Sequence, residues 1–128
     1  MNDQKLKVLV IQPMKKPYLK EIDSELKSLQ REVGGYIQVV YPWVEPCGIL
    51  CDEEAKLTGK ELNRALRDED GHVYDVVAGT FLIVGLGDED FISLTDEQIQ
   101  IYQEKFSVPE MFLRIGDKLL VLPGGDLK

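Results

Sequence analysis

Two adjacent polar residues, Asn63 and Arg64, are the strongest candidates for recognition in this chain. An arginine side chain presents a planar fork of five donors that suits a carboxylate or a phosphate, and asparagine adds one acceptor and two donors. They lie between a turn and a hairpin, at the edge of apolar strands, and Thr80 interrupts a later apolar run. We therefore predict that Asn63, Arg64 and Thr80 form a binding corner for an anionic group.

The alternative for this pair is a structural role. Arg64 could form an ion pair with a nearby acid (Glu61, Asp68 or Asp75) while Asn63 makes a turn hydrogen bond. If the pair is a recognition site, we expect Arg64→Ala to leave folding intact and to abolish binding. A loss of thermal stability without a binding defect would instead indicate the structural role.

A second candidate surface is the aromatic connection of Tyr41 and Trp43, bracketed by Pro42 and Pro46. Exposed aromatic side chains on a stiff loop suit a protein interface, where Trp and Tyr contribute much of the binding energy. The alternative is that Trp43 folds back as a lid on the core.

The residues that could support catalysis or bind a metal are few. His72 is the only histidine, and it follows a predicted hairpin tip. Cys47 and Cys51 lie about 13 Å apart if the chain between them is extended, which is too far for a disulfide, so two buried thiols are expected. We predict no catalytic residue, no metal ligand and no cofactor. Paired carboxylates could still perform acid–base chemistry, so whether the protein is an enzyme stays open. We favour a protein that is not an enzyme.

Composition and charge limit the kinds of partner that this protein can bind. The chain has 128 residues, 44% hydrophobic and 30% charged, and a formal net charge of -8. This acidity argues against direct nucleic-acid binding through a basic face. The acids occur in three short clusters at predicted turns (Asp52–Glu54, Asp68–Asp70 and Asp88–Asp90), so a DNA mimic is a lesser alternative. With no signal-peptide layout and no apolar run of about 20 residues, we expect a cytoplasmic protein that does not enter membranes.

Hydrophobic periodicity predicts two helices. The first follows Asp23 or Ser24, carries an apolar stripe (Ile22, Leu26, Leu29 and Val33) and stops at Gly34-Gly35. The second begins at Thr95, where Gln98 completes a capping box, and ends before Pro109.

The remaining apolar runs predict strands. They cover 5–12, 36–41 and 47–52, a long central strand over 73–84, and a C-terminal hairpin of 111–115 and 118–122, whereas 60–66 is ambiguous and a loose tail begins at Pro123. The order favours an α+β fold with residues 1–128 in a single domain. We expect a mixed, mostly antiparallel sheet, with both amphipathic helices packed on one face and a C-terminal β-hairpin.

A string of short motifs in a fixed order resembles a known family. It runs through Val33-Gly34-Gly35-Tyr36-Ile37, Cys51-Asp52-Glu53-Glu54-Ala55, Asn63-Arg64-Ala65-Leu66, Ala78-Gly79-Thr80-Phe81 and Ser93-Leu94-Thr95-Asp96. The chain is similar, over about residues 6–112, to domain-of-unknown-function family 3846, small uncharacterised proteins of Firmicutes, phages and conjugative elements. The family pattern leads us to expect asparagine at the position of Asp52. Residues 113–128 look like an extension outside the part that the chain shares with the family.

The resemblance implies an intracellular accessory protein of mobile elements and carries over no activity, cofactor or catalytic residue. Together with the residues, it leads us to expect a non-enzymatic module that binds a protein, with the Asn63-Arg64 corner and the Trp43 loop as contacts. One alternative is a small-molecule or nucleotide-binding domain, with or without enzymatic activity, that uses the same corner. A pocket at Arg64 lined by converging polar groups would favour that alternative.

Overall fold

The computed structural model describes residues 5–124 and contains ten strands and two helices within them. In chain order these are β1 (Lys5–Ile11), β2 (Tyr18–Asp23), α1 (Leu26–Val33), β3 (Ile37–Val40), β4 (Cys47–Asp52), β5 (Leu62–Arg67), β6 (Val73–Ala78), β7 (Phe81–Leu86), β8 (Phe91–Ile92), α2 (Asp96–Lys105), β9 (Glu110–Ile115) and β10 (Lys118–Pro123). Neither helix in this range is long and apolar enough to cross a membrane.

The strands form one main sheet and two hairpins. The main sheet has the order β2-β1-β7-β4-β3, and β8 pairs with the end of β7. The hairpins β5–β6 and β9–β10 are separate two-stranded sheets, and all strand pairs among the described residues are antiparallel. The predicted α+β class and C-terminal hairpin are confirmed.

The two helices cover opposite faces of the main sheet, so their predicted placement on one face is wrong. Val8 and Val10 of β1 pack with Leu29 and Val33 of α1, whereas the alternate side chains of β1 pack with the end of α2 and with the β5–β6 hairpin. The reason lies in the central strands. Four consecutive side chains of β1, from Val8 to Ile11, are almost fully buried, and a strand that is apolar on both faces needs cover on both.

Local signals at the start of α2 and at the end of α1 gave accurate predictions. At α2, the Thr95 hydroxyl accepts a hydrogen bond from the Gln98 N–H, and the Gln98 side chain accepts one from the Thr95 N–H. At α1, Gly34 adopts a φ of 79°, the left-handed stop that glycine favours. The start of α1 was predicted wrongly, since Ile22 belongs to β2 and the cap residue is Glu25, which makes no side-chain cap.

The predicted long strand over 73–84 is two strands that belong to different sheets. Gly79, with a φ of 75°, turns the chain between β6 and β7. The ambiguous stretch near residue 60 ends in β5. Pro123 is the last residue of β10, and the part of the predicted tail from Gly125 onward lies outside the described residues.

One partly buried ion pair fastens the end of α1 to the end of β4. The Lys60 ammonium lies 2.7 Å from the Asp52 carboxylate and donates to the carbonyl groups of Val33 and Gly34. The Lys60 hydrogen bond is the main reason that the pKa of Asp52 is held below its ordinary value, against the opposing effect of burial. Asp52 is thus an internal anchor and not a solvated turn acid.

We predict that Asp52→Asn lowers the free energy of unfolding at neutral pH by about 1 kcal/mol, because Lys60 loses its charged acceptor. A carboxylate with a lowered native pKa stabilises the fold above its unfolded pKa, and this contribution is lost as the pH falls through the native pKa. Urea denaturation at a series of acidic pH values should therefore show a shallower pH dependence for the variant. The control is Asp75→Asn, whose ion pair with Lys56 is about half-exposed. Equal losses in both variants would contradict an anchoring role for Asp52.

Candidate functional site

The Asn63–Arg64 pair is buried inside the molecule, with side chains 0% and 1% exposed. One terminal nitrogen of Arg64, Nη1, donates to the Asn63 Oδ1 at 2.8 Å, and the other, Nη2, donates to the carbonyl oxygens of Lys15 and Phe106 at 2.7 and 2.9 Å. The Asn63 amide in turn donates to the carbonyl oxygens of Ile11 and Gly79, at 2.9 and 2.8 Å. The pair therefore joins the ends of β1 and α2 to the β6–β7 turn.

The charge of Arg64 is solvated by protein oxygen atoms, and its environment is less favourable to charge than water. Burial lowers the pKa of Arg64, and the nearby Glu110 carboxylate opposes that effect. Among residues 5–124, none of the three acids predicted as ion-pair partners contacts Arg64 within 4 Å, and Asp75 pairs with Lys56. The Arg64 Nε is buried and is the only side-chain nitrogen or oxygen in this range that is buried without a hydrogen-bond partner.

Beside Arg64 lies a cavity of about 500 Å³, which we name the Trp43 groove. It runs between the β5–β6 hairpin, the end of α2 and strand β10. Its walls combine aromatic and aliphatic side chains with a charged rim; they include Trp43, Arg64, Arg67, Asp68, Glu69, Tyr74, Lys105, Val108, Glu110 and Val121.

Glu110 closes one wall of the Trp43 groove. One carboxylate oxygen accepts the backbone N–H of Ala65 at 2.7 Å, and the other accepts the Arg67 guanidinium at 2.8 Å. The Ala65 N–H is bonded to Glu110 and not to a carbonyl group of β6, so this donor lies on the outer edge of β5. The outer edge of β5 therefore faces the groove.

Trp43 is half-buried and lies on the core as a partial lid. Its ring centroid is 4.4 Å from that of Tyr102 and 6.1 Å from that of Phe106. Tyr41, by contrast, is 67% exposed and does not line the groove. Trp43 thus covers part of the core, as the lid alternative expected, whereas Tyr41 lies in solvent.

The structure unites only two of the five predicted site residues at one cavity. Trp43 and Arg64 line the Trp43 groove, while Asn63 supports Arg64 from within. Thr80 follows the Gly79 carbonyl that accepts from Asn63, but it lies outside the groove lining. Sequence reasoning did not select Arg67, Tyr74, Lys105 or Glu110 for this site. They are separated along the chain, and only Tyr74, an aromatic residue just after a hairpin tip, carried a usable signal.

The tip of the β5–β6 hairpin gathers Asp68, Asp70 and His72, whose ligand-type atoms lie within 4.8 Å of one another. All three side chains are exposed. The Asp68 carboxylate accepts the backbone N–H groups of Asp70 and His72, as expected for an aspartate that stabilises a tight turn. The hairpin tip predicted just before His72 accounts for this arrangement.

Both cysteines are free and buried, as predicted. Burial raises the pKa of the Cys51 thiol to about 11, and the neighbouring Asp52 carboxylate adds to the rise. Burial also raises the pKa of Cys47, while a hydrogen bond with Tyr102 opposes the effect.

A comparison with known families matches residues 6–107 to a domain of unknown function, DUF3846. The chain belongs to this family. Comparisons with curated proteins and with solved structures gave no match. The DUF3846 domain includes β5, β6 and α2, which form most of the Trp43 groove, whereas β9 and β10 follow the matched region. Glu110 therefore reaches the groove from a segment beyond the matched DUF3846 region.

We predict that Arg64→Ala lowers the free energy of unfolding of this DUF3846 protein by about 3 kcal/mol, because several buried oxygen atoms lose their donors. This differs from the outcome expected from sequence, since the side chain is internal. Urea denaturation followed by circular dichroism measures the change. Arg67→Ala, which removes an exposed arginine from the same strand, is the control and should cost less than about 1 kcal/mol. An Arg64→Ala variant as stable as the Arg67→Ala variant would contradict the structural role.

We also predict that Cys47 and Cys51 do not react with a disulfide reagent such as Ellman's reagent while the protein is folded. The thiolate is the reactive form, and burial disfavours it at both positions. Absorbance at mildly alkaline pH should show no release in buffer and two equivalents in concentrated urea. A Val44→Cys variant tests the assay, because Val44 is 100% exposed and its replacement should react at once. Rapid reaction of the unmodified chain would show that one native thiol is accessible.

Proposed function

We propose that this DUF3846 protein is a non-enzymatic accessory protein that binds another protein through the Trp43 groove. The observation that carries the proposal is the side-chain composition of the groove. It brings together Trp43, Tyr74 and Arg67, three residue types enriched at the centres of protein interfaces. Tyr74 is 54% exposed, so a large part of its ring is available to a partner.

The groove suits an extended segment of a partner protein. Its floor follows the outer edge of β5, where Glu110 already accepts the Ala65 N–H in the way that the carbonyl of a paired strand would, and its rim carries both cations and acids. An extended peptide can use strand-edge donors for affinity and side-chain pockets for specificity. We propose a segment that places an apolar side chain between Trp43 and Tyr74 and an acidic side chain near Arg67 or Lys105.

The alternative proposal is a small-molecule or nucleotide ligand in the same groove. The volume of the groove is within the range of small-molecule sites, and Arg64 contributes to its lining. Two observations favour the protein partner. The terminal nitrogens of Arg64 are engaged by internal oxygen atoms, and the carboxylates of Asp68 and Glu69 on the rim would repel the several charges of a nucleotide's phosphates more strongly than a single side-chain carboxylate.

A DNA mimic is a lesser alternative. Of the three acidic clusters in the sequence, the first contains Asp52, which is buried and paired with Lys60 and does not present its charge to solvent. This leaves fewer surface acids to imitate a phosphate row. We further propose that the protein acts in the cytoplasm, on a protein of the host or of the mobile element that encodes it.

We predict that a partner cross-links to the groove and that Tyr74→Ala weakens its binding at least about tenfold, because an exposed hot-spot ring is lost. A photoreactive amino acid placed at Tyr74 in producing cells identifies the partner by mass spectrometry, and titration with the purified partner then gives the affinity. Tyr36, which is 69% exposed and lies outside the groove, provides the matched control at both steps.

The salt dependence of the measured affinity separates the proposals. An affinity that depends on aromatic side chains should change little between low and high salt. The affinity of a DNA mimic for its partner should fall steeply as the salt concentration rises. Equal cross-linking at Tyr36 and Tyr74, or equal affinities of the two alanine variants, would rule out the groove as the contact surface. Saturable binding of a nucleotide that is lost in Tyr74→Ala would instead support the small-molecule alternative.

A further inference from the structure

The C-terminal hairpin presents an uncovered apolar face. The strand register places Leu113 opposite Leu120 and Met111 opposite Leu122, so these side chains and that of Ile115 share one face. Leu113, Ile115, Leu120 and Leu122 are between 40% and 60% exposed. A two-stranded hairpin is at best marginally stable alone, and exposed apolar patches on soluble proteins commonly mark interaction surfaces.

The outer edge of β10 is an unpaired strand edge within the described part of the chain, since β10 pairs only with β9 there. The Gly124 N–H donates to the Pro109 carbonyl at 2.7 Å, which continues the register of the hairpin. Backbone groups alternate in direction along a strand, so even-numbered residues of β10 face β9. The N–H and C=O groups of Leu119 and Val121 therefore point away from β9, where no other strand among residues 5–124 pairs with them.

The middle of the β10 edge lacks the charges found on another edge of the protein, since Lys118 and Pro123 stand only at the two ends of the strand. Strand β2, at the end of the main sheet, carries Lys20, Glu21 and Asp23, and charges of this kind discourage edge-to-edge association. The segment Leu119–Leu122 carries no charge. An unprotected strand edge of this kind readily pairs with a strand of another chain.

The charge distribution favours this hairpin as the place where a second copy can approach. The chain has a formal net charge of -8, so two copies repel over most of their surfaces. The hairpin is an exception, because its acids, Glu110 and Asp117, are balanced by Arg114 and Lys118. A second copy meets the least repulsion if it approaches through this neutral, apolar segment.

We propose that two copies of this chain associate through β10, which pairs antiparallel with β10 of the second copy across a two-fold axis. Centring the axis on Leu120 places Leu119 of each copy opposite Val121 of the other. This register uses the outward donors of both residues and needs none from Pro123, which has no N–H. Leu120 then contacts Leu120 of the second copy, and the two apolar faces join into one four-stranded surface.

The association is independent of the proposed function. Val121 lines the Trp43 groove, and alternation along β10 directs its side chain to the face opposite that of Leu120 and Leu122. The groove therefore stays open in the paired form. The outward-facing β10 edge lies beyond the matched DUF3846 region, so the proposed pairing uses a segment outside that region.

Disulfide trapping tests the register directly. Residues that face each other at a non-hydrogen-bonded position of an antiparallel pair lie close enough for a disulfide. Leu120→Cys should therefore form a covalent dimer under mild copper-phenanthroline oxidation, seen on a non-reducing gel and reversed by dithiothreitol. The native Cys47 and Cys51 are buried. Leu57→Cys, at a position that is 87% exposed, should give much less dimer at the same concentration and is the control.

Solution measurements test the association without an added cysteine. Sedimentation equilibrium of the unaltered chain should give twice the mass of one chain. Leu120→Lys should raise the dissociation constant about tenfold or more, since it places a charge at the centre of the contact, whereas Leu57→Lys should leave it unchanged. Leu119→Pro keeps the apolar face but removes an outward donor, and it should also weaken association.

Amide hydrogen exchange distinguishes loss of pairing from loss of the hairpin. The N–H groups of Leu119 and Val121 should be protected at high protein concentration and exchange rapidly on dilution or in Leu120→Lys. The N–H of Leu122, which faces β9, should stay protected in every case. The proposal is overturned if the unaltered chain is monomeric at all concentrations, if Leu57→Lys dissociates the dimer equally, or if Leu119 and Val121 exchange rapidly at high concentration.

Discussion

The Arg64 guanidinium carries a positive charge where water is excluded, so oxygen atoms of the protein must replace its hydration. Those oxygen atoms come from the loop after β1, from Asn63 and from the last turn of α2, and Asn63 adds the end of β1 and the β6–β7 turn. The loop after β1 and the end of α2 are therefore held by the side chain of Arg64, and the end of β1 and the β6–β7 turn are held by that of Asn63. The Trp43 groove lies beside this centre, because Arg64 and Phe106 belong to both. Glu110 links the C-terminal hairpin to the same centre, both through its hydrogen bonds and through its charge.

The main sheet imposes the second constraint, since its central strands are apolar on both faces. One face is closed by α1, and the other by the end of α2 together with the β5–β6 hairpin. This second layer is built from short segments that meet at their ends, and a cavity forms where they do not fill the space between them. The fold thus accounts for the position of the groove on the α2 side of the sheet.

Features encoded by neighbouring residues could be predicted from the sequence, and features that depend on distant residues could not. The capping box at Thr95 and Gln98 and the left-handed stop at Gly34 need only a few residues, and both were predicted correctly. Strand β2 was missed because it is an edge strand with one buried side chain, that of Ile22, so its apolar pattern resembles the start of a helix. The polar character of Asn63 and Arg64 suggested a surface, since nothing nearby in sequence reveals that carbonyl oxygens of Lys15 and Phe106 surround them. The groove itself depends on the tertiary arrangement of β5, α2 and β10.

The separation along the chain of the atoms around Arg64 bears on how the molecule reaches its native state. Lys15 and Phe106 lie 49 and 42 residues from Arg64, so their hydrogen bonds close long loops before any local gain offsets the lost chain entropy. Removing water from the guanidinium costs free energy unless all of its acceptors are in place. Partly folded states that contain only one of these contacts are therefore disfavoured. The contacts that Arg64 makes with the loop after β1 and with the end of α2 thus depend on each other. We therefore expect the contacts at this end of the protein to form cooperatively.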